Sequence, residues 1–188
     1  MRNIRLTLAF VLLLAAGCSS GVASEQTTIK TMEDVQYESI LPYSGTYVGN
    51  NSDVLTLLSH LPGGETVGQL DLTNEKINVT YEVKGDRSEE MFHDYWFSDN
   101  KNGLKTMHYN AIYLSLLVPN AEGYEFHVQE KNRSFTRDEI TTILGDEFPD
   151  LPNEDELMDD ETVEAFVTKH KEELEMIANN FEDYFNEK

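Results

Sequence analysis

Cysteine is almost absent from this 188-residue chain: Cys18 is the only one. The chain beyond Cys18 therefore has no disulfide framework and no thiol nucleophile, so it must fold on an apolar core alone. Basic residues are also scarce, 14 Lys and Arg against 35 Asp and Glu, for a formal charge of -21. Such a surface repels nucleic acid and anionic lipid headgroups, so neither is expected as a partner of the folded part. Catalytic signatures are missing as well. There is no H-E-x-x-H, no G-x-S-x-G elbow, no Walker loop and no dinucleotide glycine fingerprint in the sequence.

The first eighteen residues carry the clearest signal. Arg2 and Arg5 give a basic start, Ile4 to Ala16 is apolar apart from Arg5 and Thr7, and Ala15-Ala16-Gly17 leads into Cys18. The run is shorter than the ~20 residues a membrane-spanning helix needs, and its layout predicts a secretory signal peptide over 1–17. A cysteine directly after small residues resembles the lipobox of bacterial lipoproteins, although Ala15 stands where Leu is usual and Leu14 sits one place early. The resemblance implies diacylglycerol on the Cys18 sulfur and a new N-terminus at that residue. It places the chain on the outer face of the cytoplasmic membrane, held by the Cys18 lipid. The alternative is a plain signal peptide cut after Ala23.

Residues 18–36 are polar and rich in Ser, Thr and Glu, and are expected to form a lipid-anchored flexible tether. The whole chain is 39% hydrophobic with 10% aromatics, which is a globular composition. Acidity is concentrated at the end. Residues 146–188 hold 16 acids against 3 lysines. The pattern predicts an α+β domain over 37–145 and an acidic linker with a C-terminal helix over 146–188.

Within the domain, Val54, Leu57, Leu58 and Leu61 form one apolar helical stripe, stopped by Pro62-Gly63-Gly64. Two strands come next, Val67 to Leu72 and Lys76 to Val83, joined closely enough for an antiparallel hairpin. Arg87 to Gly103 fits either a helix starting at Ser88 or a strand through Tyr95-Trp96-Phe97. Lys105 to Val118 predicts the most buried helix, and Tyr124, Phe126 and Val128 predict a third strand. Thr136 and Glu139 make a capping box with Phe135 and Ile140 as its staple, and Gly145 marks the stop. From Asp160 to Asn186, a stripe running Val163, Val167, His170, Leu174, Ile177, Phe181 and Tyr184 favours packing on the domain over self-association. The expected architecture is a small antiparallel sheet with helices mainly on one face, plus that acidic helix.

Three of these segments resemble domain-of-unknown-function family 4825. They are Tyr43-Ser44-Gly45-Thr46-Tyr47-Val48-Gly49-Asn50-Asn51-Ser52 with Leu61-Pro62, then Tyr109 to Asn120, then Phe135-Thr136-Arg137-Asp138-Glu139-Ile140 with Gly145. The likeness spans about Tyr43 to Gly145. It implies a small lipoprotein of a Gram-positive bacterium, or a relative of the extracytoplasmic tails of antibiotic-sensor metallopeptidases. It brings no catalytic residues with it.

No catalytic, cofactor-binding or metal-binding residue is singled out, and Cys18 as lipid-attachment site is the one site residue. The five histidines form no close pair, and His60 and His108 read as helix-surface histidines. Asp150 to Glu161 lacks the central glycine of a calcium loop and is broken by Pro152, so it reads as solvated linker. The leading expectation is a non-enzymatic interaction or sensing module whose partner, besides the membrane, is another extracytoplasmic or membrane protein. The alternative is a binding protein for a small ligand or cation, with a pocket between sheet and helices. A hydrolase comes third.

Overall fold

Alternation in the strands decides where the core lies. Ile77, Val79 and Tyr81 on one strand and Tyr124, Phe126 and Val128 on another are all within 1% of full burial. The helices that pack on the sheet do so on that face. A computed structural model describes residues 28–185, and among them are four strands and seven α-helices. The strands are β1 (Val67–Asp71), β2 (Lys76–Tyr81), β3 (Gly123–Val128) and β4 (Lys131–Thr136). The helices are α1 (Tyr37–Ile40), α2 (Asn51–His60), α3 (Glu89–Phe97), α4 (Asn102–Leu117), α5 (Arg137–Glu147), α6 (Asp160–Asn179) and α7 (Phe181–Tyr184).

The class is α+β, and the sheet runs in the order β1-β2-β3-β4. The expectation of a wholly antiparallel sheet is corrected at its centre. β1 and β2 are antiparallel, as are β3 and β4, but β2 pairs with β3 in parallel. The reason is the connection. α3 and α4 both lie between β2 and β3, and a long helical crossover returns the chain in its original direction. Strand β4 lies in a stretch to which the sequence pattern assigns no strand.

α4 is the axis of the molecule. All but a few of its residues are buried, including the polar Thr106, His108, Asn110 and Ser115. Helices hydrophobic on one stripe only sit at a surface, whereas α4 is enclosed on every side. Asn110 Nδ2 donates to the Pro62 carbonyl at 3.1 Å and to Tyr81 Oη at 3.0 Å. Its Oδ1 is buried without a partner among the described residues.

Local signals hold at the helix starts. Ser88 accepts from the Met91 N–H at 3.1 Å, which resolves the ambiguous segment as helix α3. Thr136 caps α5 by accepting from the Glu139 N–H at 3.1 Å, and Phe135 and Ile140 are both buried beside it. Gly145 does not stop α5, which continues to Glu147 before Phe148 turns into the core.

Both ends of the described chain join the same core. Ile29, Met32 and Val35 are buried, and the Lys30 carbonyl accepts from Gly63 N at 2.9 Å and Tyr95 Oη at 2.8 Å. Residues 28–36 are thus docked and not a tether, because three apolar side chains at i, i+3 and i+6 give them a face to bury. At the other end, α6 packs along α4 and buries Val163, Phe166, Val167, Leu174, Ile177 and Ala178. The acidic linker is pinned too. Leu157 is buried, and Gly45, at φ +68, lies so close to Met158 that a Cβ there would sit 2.8 Å from the Met158 carbonyl oxygen. One core therefore runs from Ile29 to Phe185, across the boundary expected at residue 145.

Candidate functional site

The same alternation that buries one sheet face writes the other in polar residues. Gln69 stands opposite Thr80, Thr80 beside His127, and His127 opposite Asn132. The next row runs Asp71, Asn78, Glu125 and Ser134. All eight are at least partly exposed. A shallow groove of about 570 Å³ lies over this face, reaching Thr73 and Asn74 at the β1–β2 turn. Lys76 Nζ meets Glu125 Oε1 at 3.1 Å, and Glu125 Oε2 lies 3.8 Å from His127 Nε2. The face offers amides, hydroxyls, two carboxylates, an ammonium and an imidazole on a rigid support. It can make many directional hydrogen bonds.

A second concavity, about 310 Å³, lies on the buried side of the sheet at its β4 edge. Its floor is Trp96 and Phe97 from the end of α3, Leu104 and Met107 from the start of α4, and Val128 from β3. Gly103 makes this corner, since a Cβ there would come within 2.6 Å of the Trp96 carbonyl oxygen. Lys131 and Arg133 alternate along β4, so both point to the helix-bearing side and line the cleft with Glu130 and Asn132. The Lys131 ammonium sits 4.7 Å from the centre of the Phe97 ring, within cation–π range.

Two buried polar clusters are structural. Tyr37 Oη is 3.0 Å from Tyr113 Oη and 3.5 Å from Tyr109 Oη, and it donates to Glu175, tying α1 and α4 to α6. Burial, reinforced by the Glu175 hydrogen bond, pushes the Tyr37 hydroxyl up to about 12. It remains a donor at neutral pH. His108 is not on a helix surface but sits among Phe135, Phe181 and Phe185, with ring centres 4.9, 4.4 and 4.6 Å away. Its Nδ1 lies 2.7 Å from the Leu104 carbonyl oxygen. Burial pulls its pKa down to about 4, and the Arg133 charge acts the same way against the opposing Leu104 hydrogen bond. It is therefore neutral at pH 7, with Nδ1–H donating.

The other histidines are dispersed. His60 is near the Tyr43 ring, His93 near Phe97, and His170 lies between Phe148 and Phe166 with Nε2 3.1 Å from both Asp150 oxygens. Asp150 also bonds Lys169 at 2.6 Å. The Lys169 and His170 contacts hold its carboxyl down at about 2. Among the described residues no group of three or more His, Cys, Asp or Glu is placed to hold a metal ion, and no helix is long and apolar enough to cross a membrane. The predicted signal peptide, Cys18 and the tether up to residue 27 lie outside the described residues. Neither concavity is marked in the sequence by a motif. The one available hint is the alternation of Lys131, Arg133 and Phe135 after a two-residue connection from Val128.

These features define an α+β domain whose mixed sheet is covered on one face and open on the other. The family model described as "Domain of unknown function (DUF4825)" matches residues 40–141, more than half of the chain, and the protein belongs to that family. No curated protein and no solved structure matches it. The match ends inside α5, so the N-terminal segment and α6, which complete the core, fall beyond it.

Proposed function

We propose that the protein is an extracytoplasmic lipoprotein, held by lipid on Cys18 at the outer face of the cytoplasmic membrane, whose domain is a non-enzymatic interaction or sensing module. The observation that supports it best is the open sheet face. Eight polar side chains are displayed on strands whose opposite face is locked in the core, so the array is pre-organised and loses little entropy on binding. The stripe on α6 is spent on the domain itself, which leaves the open face as the broad recognition surface.

Two experiments test this. Cys18→Ala should move the protein from the membrane fraction to the soluble fraction; retention on membranes would sink the anchor. For the module, cross-linking and recovery from intact membranes should yield a partner that Thr80→Arg or His127→Glu releases without changing the fold. Recovery of no specific partner over several growth conditions, or of one indifferent to both changes, would overturn the reading.

The cleft beside Trp96 favours a second reading, a binding protein for a small ligand. At about 310 Å³ it falls at the lower end of small-molecule sites, with an apolar floor and a few polar groups above it.

A further inference from the structure

We infer that the open sheet face takes a basic segment of a partner protein, docked where the β1–β2 turn meets the starts of β2 and β3. The inference rests on the open-face reading and deepens it by naming the partner's chemistry. Three observations carry it.

The first is charge. Asp71 closes β1, Glu75 precedes β2, and the Glu122 N–H donates to the Glu75 carbonyl at 2.7 Å, which sets two exposed acidic residues at this one end. Lys76 is the only lysine or arginine among the described residues that line the groove, and its ammonium is already paired with Glu125 at 3.1 Å. That pair contributes no net charge. Asp71 bonds Thr73 through the backbone N–H at 3.0 Å and the hydroxyl at 3.2 Å, neither of them a cation. Among the described residues Asp71, Glu75 and Glu122 make no ion pair. Three uncompensated carboxylates on a chain of charge -21 attract a cationic surface and repel a second copy of the chain.

The second is an unmet acceptor. Asn78 shares a row with Asp71 on one neighbouring strand and Glu125 on the other. Its Oδ1 is buried without a hydrogen-bond partner among the described residues, although the residue lines the groove and is partly exposed. Buried polar atoms are paired in the great majority of cases. An amide oxygen between two carboxylates calls for a donor, and a small turn of the side chain presents it to one from the groove. Lysine and arginine heads carry several donors and no acceptor.

The third is what continues along the groove. Beyond the acidic end the same face offers the Gln69 amide, the Thr80 hydroxyl and the His127 imidazole. Those groups match the N–H and C=O groups of a polypeptide, which a simple polyamine lacks.

The full chain is titrated by isothermal calorimetry with capped decapeptides of alternating Lys-Thr, Gln-Thr and Glu-Thr, and with spermine. Saturable binding of the Lys-Thr peptide is expected, weakening with salt and exceeding that of the other three. Asp71→Asn combined with Glu122→Gln should weaken it about tenfold, as for losing two exposed ion pairs. Asn78→Ala should weaken it about fivefold, the loss of one hydrogen bond. Lys76→Gln, which frees Glu125, should tighten it. Circular dichroism checks that each variant is folded. Glu161→Gln with Glu164→Gln, on the exposed face of α6, should leave binding unchanged. No binding of the Lys-Thr peptide, equal binding of the Glu-Thr or Gln-Thr peptide or of spermine, or a loss confined to the α6 variant would overturn the basic-segment assignment. The open face itself would then still stand or fall on whether Thr80→Arg releases the partner cross-linked on membranes.

Discussion

The two faces of the sheet come from the same strands and differ only in the parity of the residue. On the inner face, Ile77, Val79, Tyr124 and Phe126 are completely buried. One residue along each strand, Asn78, Thr80, Glu125 and His127 face the groove. The inner face holds the molecule together; the outer face is left to be chosen on other grounds. A single strand can thus serve stability and recognition without trade-off, because pleating keeps the two sets of side chains apart.

The contrast is broken most easily by paired truncations. Phe126→Ala should cost about 3–5 kcal/mol, the range for a buried aromatic cut to alanine. Thr80→Ala, on the adjacent strand but the other face, should stay within about 0.5 kcal/mol. Urea denaturation of both decides it, and equal costs would mean that the open face is structural.

The next effect is pH-dependent and belongs to the inner side. His108 has its folded pKa lowered from 6.5 to about 4. The unfolded chain therefore binds a proton that the folded one refuses, so this stability is whole above pH 6.5. It is lost as pH falls toward 4, by up to ~3 kcal/mol. Urea midpoints measured from pH 7.5 to 4 should show that slope, and His108→Phe should flatten it. The exposed Asp150 acts later. Its depressed pKa contributes stability that is present above about pH 4 and is lost as pH falls toward 2.

A smaller effect tests the buried polar groups. Asn110→Ala leaves the Pro62 carbonyl and the Tyr81 hydroxyl without their donor, which should cost about 1–3 kcal/mol by thermal denaturation. The smallest lies on the outer face. Breaking the Lys76–Glu125 pair with Lys76→Ala should change stability by less than about 1 kcal/mol, since both side chains are substantially exposed. A larger loss would show the open face to be coupled to the core.

Much of the fold is legible residue by residue. The stripe of α2, the alternation of β2 and β3, the capping box at Thr136 and the apolar face of α6 are local periodicities, and each appears in the fold. β4 escapes such a reading because its exposed residues are polar and Phe135 is its only large apolar one. The docked segment at 28–36 escapes it because three spaced apolar residues in a polar stretch carry no statistical weight, and the Gly63 and Tyr95 hydrogen bonds that hold the Lys30 carbonyl come from distant parts of the chain. Of the two concavities, the open face is implicit in the alternation. The cleft is not, since its floor comes from α3, α4 and β3 and its cations from β4.

The sequence alone determined the acidity, the single cysteine, the α+β class and which side of each element is apolar, because these come from composition and from periods of two and 3.6 residues. Only the tertiary structure decided that β2 and β3 run parallel, that both ends of the described chain share one core, and that Lys131 and Arg133 overlook Trp96. Those depend on how distant segments meet, and no local period encodes a meeting.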